Sequence, residues 1–171
     1  MGKKNLNRYL GSLDKEQLEE QIKDLYSRFK EVKEFYDFAF DPKEDKLNEE
    51  AKIRIYNEYF PFKRKRPRKR RSVAQDHIRH FLQLGVDPSI TADLMLYNLE
   101  LAQSFSKQNY IGQDSFYKSM LNSFDQAFKF LLEHHLTVAF MPRCEAIVVQ
   151  TEVQEWPNTE AFQMTILLTS P

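Results

Sequence analysis

Between Phe62 and Ser72 the chain reads K-R-K-R-P-R-K-R-R, eight cations and one proline over Lys63 to Arg71. Like charges this crowded repel one another, so the segment is extended and solvated unless an anion neutralises it. Pro67 also bars a continuous helix through it. Any fold must therefore be built on either side, from an N-terminal helical part (12–60) and a C-terminal part (72–162). The charge balance depends on the same run. The chain carries 25 Lys+Arg and 25 Asp+Glu, and without these eight cations 17 would face 25, a net charge of −8.

The flanking sequence has helical periodicity and only four glycines in 171 residues, which argues against a turn-rich β fold. Asp14 and Gln17 form a capping box, and Leu13 and Leu18 sit where a hydrophobic staple would. Leu18, Ile22, Leu25, Tyr26 and Phe29 then recur on one helical face. A second short helix through Val32, Phe35, Tyr36 and Phe38 stops near Asp41-Pro42. A third, from about Glu44 to Tyr59, places Leu47, Ala51, Ile55 and Tyr59 every four residues, and Phe60-Pro61 closes it.

After the basic run, Ser72 is expected to cap a fourth helix bearing Val73, His77, Ile78, Phe81 and Leu82, with Gly85 at its end. Asp87-Pro88 opens a long fifth helix through Ile90, Leu94, Met95, Tyr97, Leu101 and Phe105. A sixth begins near Asp114 and buries Phe116, Met120, Phe124, Phe128 and Leu131. From Phe140 to Gln154 the pattern fits a seventh helix, although the β-branched Ile147-Val148-Val149 also fits a strand. Asn158 caps a last segment through Phe162. The expected fold is all-α, a single helical domain over 1–171. Six to seven helices form an antiparallel bundle or stacked helix pairs.

The phrases S-L-D-K-E-Q-L, D-L-Y-S-R-F, R-R-S-V-A-Q-D-H-I-R-H-F, L-G-V-D-P and D-L-M-L-Y-N-L-E, with F-Y-K-S-M-L-N-S-F and R-C-E-A-I-V, carry a resemblance. The chain resembles a mostly helical family of small uncharacterised bacterial proteins, known only as a domain of unknown function. The resemblance reaches to about Phe162, and the tail M-T-I-L-L-T-S-P departs from it. It implies a bacterial cytosolic protein and no mechanism.

Other signals narrow the function. The N-terminus lacks an apolar signal-peptide core, and Leu6 breaks the myristoylation pattern. No apolar run approaches the roughly 20 residues that cross a bilayer, so the expectation is a cytoplasmic protein with no membrane partner. Cys144 is the single cysteine, which excludes an internal disulfide and a Cys-rich zinc site. His77 and His80, with Asp76, Glu133, His134 and His135, lack the Glu-x-x-His pairs of a di-iron bundle, and no metal or cofactor is expected. No Gly-rich phosphate loop, G-x-S-x-G or H-E-x-x-H occurs, so the sequence points away from an enzyme and names no catalytic residue.

Two function classes lead, ahead of a third and weakest one, an enzyme or metal protein using His77, His80 and residues near the C-terminus. In the first, Lys63, Arg64, Lys65, Arg66, Arg68, Lys69, Arg70 and Arg71 bind RNA, DNA or a ribonucleoprotein, with Ser72 at a helix N-terminus and Arg79 extending the patch. Arg70 and Arg71, nearest the helix start, are the expected sites of ordered phosphate contact. In the second, the protein oligomerises or binds an acidic protein surface, with exposed aromatics such as Phe60, Phe62 and Trp156 in the contact. A purely internal role for the run would pair it with Asp41, Glu44, Asp45, Glu49 or Glu50.

Overall fold

A computed structural model describes residues 2–63 and 66–167, and every regular element among them is an α-helix. In order these are α1 (Gly2–Leu10), α2 (Lys15–Arg28), α3 (Lys30–Phe40), α4 (Glu44–Tyr59), α5 (Arg71–Leu84), α6 (Pro88–Gln108), α7 (Asp114–Glu133), α8 (Thr137–Val153) and α9 (Thr159–Leu167). All-α holds, but the described residues form nine helices rather than six to seven. One addition is α1, which has an apolar stripe at Leu6, Tyr9 and Leu10 but no sequence signal for its start. The other is α9, which runs past Phe162 to Leu167.

The alternatives at Ile147-Val148-Val149 resolve in favour of helix. Cys144, Ile147, Val148 and Thr151 are the buried residues of α8, and their i, i+3, i+4, i+7 spacing is a single helical face. Pro142 sits inside this helix. Its ring leaves the carbonyl four residues back without a helical donor, and that carbonyl belongs to Val138, which is 91% exposed.

Local signals fix several helix ends. Asp14 accepts from the Gln17 N–H at 2.8 Å while the Asp14 N–H donates to the Gln17 side chain at 3.1 Å. Asp87 accepts from the Ser89 N–H ahead of α6, with Pro88 in the first turn. Gly85 ends α5 with φ 75°, the left-handed region that glycine enters without steric cost. Ser72 does not cap α5. The helix starts two residues earlier than a Ser72 cap would place it, with Arg70 as its N-cap and no side-chain cap bond. The cause is upstream, because Arg70 is itself held by α4.

The chain divides into two compact units, Met1–Lys43 and Glu44–Pro171. In the first, α2 and α3 pack together. Tyr26 donates its hydroxyl to Asp37 at 2.6 Å, and the Lys33 ammonium lies 5.9 Å from the Tyr26 ring centre. No residue of α1, α2 or α3 is buried. Ile22, Leu25, Phe29 and Phe35 remain partly open, and Phe40 is 81% exposed.

The second unit is built around α6. Leu94, Met95 and Leu96 are buried in succession, which a helix manages only when surrounded, and α4, α5, α7 and α8 all pack on it. Lys52 meets Asp93, Tyr59 meets Asn98 and Phe60 meets Phe105, so α4 and α6 run in the same direction. Arg143 meets Asp93, Gln103 meets Ile147 and Ser106 meets Gln154, so α8 runs that way too. Second neighbours in sequence are thus parallel, with α5 and α7 carrying the chain back between them. Trp156 does not serve as an exposed contact residue. It is 4% exposed, against Phe116, Tyr117 and Phe162.

Candidate functional site

Arg64 and Lys65 lie outside the described residues; the rest of the basic run is a strap fastened to the end of α4. The anchor is Glu58, a carboxylate only 5% exposed. Its backbone carbonyl accepts the N–H groups of Arg68 and Lys69, both at 3.0 Å. Its carboxylate takes the Arg70 guanidinium at two points, Nε and Nη2, each 3.0 Å, and the Arg70 N–H at 3.3 Å. The fork of donors matches the two carboxylate oxygens, and this bond raises the Arg70 pKa above its ordinary value.

Two further cations of the strap also face the protein. The Lys69 ammonium lies 5.5 Å from the ring centre of the buried Phe105, and Lys69 takes a left-handed φ of 53°. For a non-glycine residue that backbone costs about 1 kcal/mol, which the two bonds to Glu58 offset. Arg71 donates Nε to the Ser123 hydroxyl on α7 at 3.1 Å. Arg70 and Arg71, the residues expected to meet phosphate first, therefore already have partners within the chain, although the Arg70 side chain is 51% exposed.

Lys63, Arg66 and Arg68 are exposed, and no ion pair joins them to a carboxylate of the described residues. The carboxylates expected to pair with the run have other partners in three cases. Asp41 pairs with Lys43, Glu50 lies 4.0 Å from Lys46, and Glu44 accepts the Asp87 N–H. Ser72 is exposed in the first turn of α5, and Arg79 pairs with Asp76 on the surface of the same helix at 3.3 Å. Glu58 was missed by sequence reasoning, yet a signal exists. It falls on the stripe Ala51, Ile55, Glu58, Tyr59, where a carboxylate needs a partner.

Aromatic rings adjoin the strap. Tyr56 lies 5.2 Å from Phe60 and 5.6 Å from Phe62, the latter pair nearly parallel at 27°. Phe60 meets the edge of Phe105 at 5.8 Å. With Pro61 and Pro67 these rings border an open depression of about 470 Å³. Phe62 is 73% exposed, and its N–H donates to the Asn57 side chain at 3.2 Å.

A second ionic cluster joins α4, α6 and α8. Asp93 receives Lys52 at 2.6 Å and Arg143 at 2.7 Å, and Arg143 also grips Glu100 through Nε and Nη2 at 2.8 and 3.0 Å. Burial pushes the Asp93 carboxyl up, but the hydrogen bonds from Lys52 and Arg143 outweigh it and hold the pKa below 3.8. Asp93 and Glu100 are thus matched internally.

The remaining candidates are less organised. Burial lowers the His77 pKa, with the Arg54 charge and His80 adding to the effect. Among the described residues no three His, Cys, Asp or Glu side chains gather as a metal site. Burial pushes the Cys144 thiol up to about 11, leaving it un-ionised near neutrality. Asn98 joins α4 to α6 by accepting the Tyr59 hydroxyl at 3.5 Å, and its own amide nitrogen is buried without a partner. No described helix is long and apolar enough to cross a membrane.

No curated protein and no solved structure matches the chain. The model of a family of unknown function, DUF6155, matches residues 1–167, beyond the Phe162 limit of the resemblance and into the tail. A match over nearly the whole length means that this chain belongs to that family.

Proposed function

We propose that this chain is a cytoplasmic helical binding module, with its helices in an antiparallel arrangement, that docks the phosphate backbone of RNA or DNA on its basic strap. The observation that carries this reading is the division of labour within the strap. Glu58 and Ser123 hold Arg70 and Arg71, which fixes the path of the chain, while Lys63, Arg66 and Arg68 stand exposed without carboxylate partners among the described residues. Anchored cations cost less ordering entropy on binding than a free loop would. Contacts of this kind favour backbone over base recognition. Ser72 lies in the first turn of α5, where free amides favour an anion, and Arg79 lies two turns further along the same helix, paired with Asp76.

Fluorescence anisotropy across a salt series tests the reading. Three phosphate contacts on a single strand give a slope of log K against log salt of about −2. A slope near zero, or no binding at low salt, would remove nucleic acid from consideration.

A second reading, a protein-interaction or oligomerising module, is favoured by Met1–Lys43, whose three helices bury no residue. Helices this short draw their stability from packing an apolar face. Light scattering on the full chain decides it: a mass above the monomer that falls in Ile22→Glu supports the reading, and a monomer at all concentrations opposes oligomerisation.

A further inference from the structure

The rings beside the strap have a feature that the core does not explain. Tyr59 and Phe105 are 3% and 5% exposed and belong to the packing of α4 on α6. Phe62 is 73% exposed, yet it is not a stray side chain. Its backbone is tied to Asn57, and its ring lies nearly parallel to Tyr56. It immediately precedes Lys63, and Pro67, between Arg66 and Arg68, borders the same depression. An ordered ring in the open, set among unpaired cations, is what an unpaired base requires, a flat surface for its π-face and charge for the adjoining phosphates.

We infer that Tyr56 and Phe62 form a stacking ledge for an unpaired base, so that the ligand is single-stranded nucleic acid. This rests on the phosphate-binding reading above and adds the class of strand. In a duplex the base faces are covered by their neighbours, whereas a single strand can present one to the ring while its phosphates follow Lys63, Arg66 and Arg68. Stacking also tolerates any base, because every base has a π-face.

The test uses the full chain, a short oligothymidylate, an abasic strand of equal length and a duplex, at one low salt concentration. The native protein should bind the base-bearing strand roughly tenfold tighter than the abasic one. Phe62→Ala, at an exposed position, should keep its thermal unfolding midpoint and its affinity for the abasic strand while losing that preference. Equal affinity for the two strands in the native protein, an unchanged preference in Phe62→Ala, or a duplex bound as tightly as the single strand would overturn the ledge and leave phosphate binding standing. If no strand binds at all, the phosphate reading fails and the ledge fails with it.

Discussion

Two regions of the Glu44–Pro171 unit gather cations, and they treat them differently. At the α4–α6–α8 junction, Lys52 and Arg143 meet Asp93 and Glu100, so every charge of the cluster has an opposite within 3.0 Å. In the strap, one guanidinium is matched to Glu58 while Lys63, Arg66 and Arg68 are left open to solvent. Matched charge ties helices together, whereas Lys63, Arg66 and Arg68 have no carboxylate partner among the described residues. The comparison predicts that removing charge from the first region affects stability and that removing the surplus affects binding.

The largest effect is expected at Arg143. Replacing it by Ala leaves Asp93 and Glu100 half-buried and short of a partner, at a cost of about 2 to 3 kcal/mol in urea unfolding, discounted for partial exposure. A change below about 0.5 kcal/mol, as at an ordinary surface position, would break the comparison. Glu58→Gln comes next. It keeps the shape but weakens hydrogen bonds to a charged partner, and about 1.5 kcal/mol should be lost, with the strap becoming more open to proteolysis.

The acid limb should show Asp93. Its folded pKa lies below its unfolded value, so its contribution is complete above about pH 4 and is lost as the pH falls through the folded value. Asp93→Asn should therefore be less stable at neutral pH and show a shallower loss in acid. Smallest of all is the effect of Arg66→Gln with Arg68→Gln, which should shift stability by no more than about 0.5 kcal/mol. A larger loss would mean that these two cations have a structural role.

Much of the frame was legible in the sequence because its signals are local. The Asp14 capping box, the Asp87-Pro88 start and the Gly85 stop each depend on residues within a few positions, and each forms as the spacing indicates. Ser72 misled for the complementary reason. Its local pattern is a good cap, but the bond that the Arg70 N–H donates to Glu58, twelve positions earlier, sets where α5 begins. The Asp93 cluster was invisible for a stronger version of the same cause, since Arg143 is 50 residues away. Long-range pairing leaves no periodicity to read. In α8 the stripe of Cys144, Ile147, Val148 and Thr151 was present, and the β-branched run obscured it until burial showed which face was inside.

The site divides along the same line. That a basic segment lies between two helical blocks was plain from composition alone. Which of its cations serve the fold was not, because the answer depends on Glu58 and Ser123. The sequence marks Phe62 as a candidate contact residue, but its alignment with Tyr56 is a property of the folded chain.

The central claim is that the cations left over by the fold are the ones that bind. The most direct measurement is the salt dependence of oligonucleotide affinity for the native chain and for Arg66→Gln with Arg68→Gln. Two lost phosphate contacts should flatten the slope by about 1.4 on a single strand, with thermal unfolding unchanged. An unaltered slope, or a flattened slope accompanied by a large loss of stability, would contradict the division between matched and surplus charge.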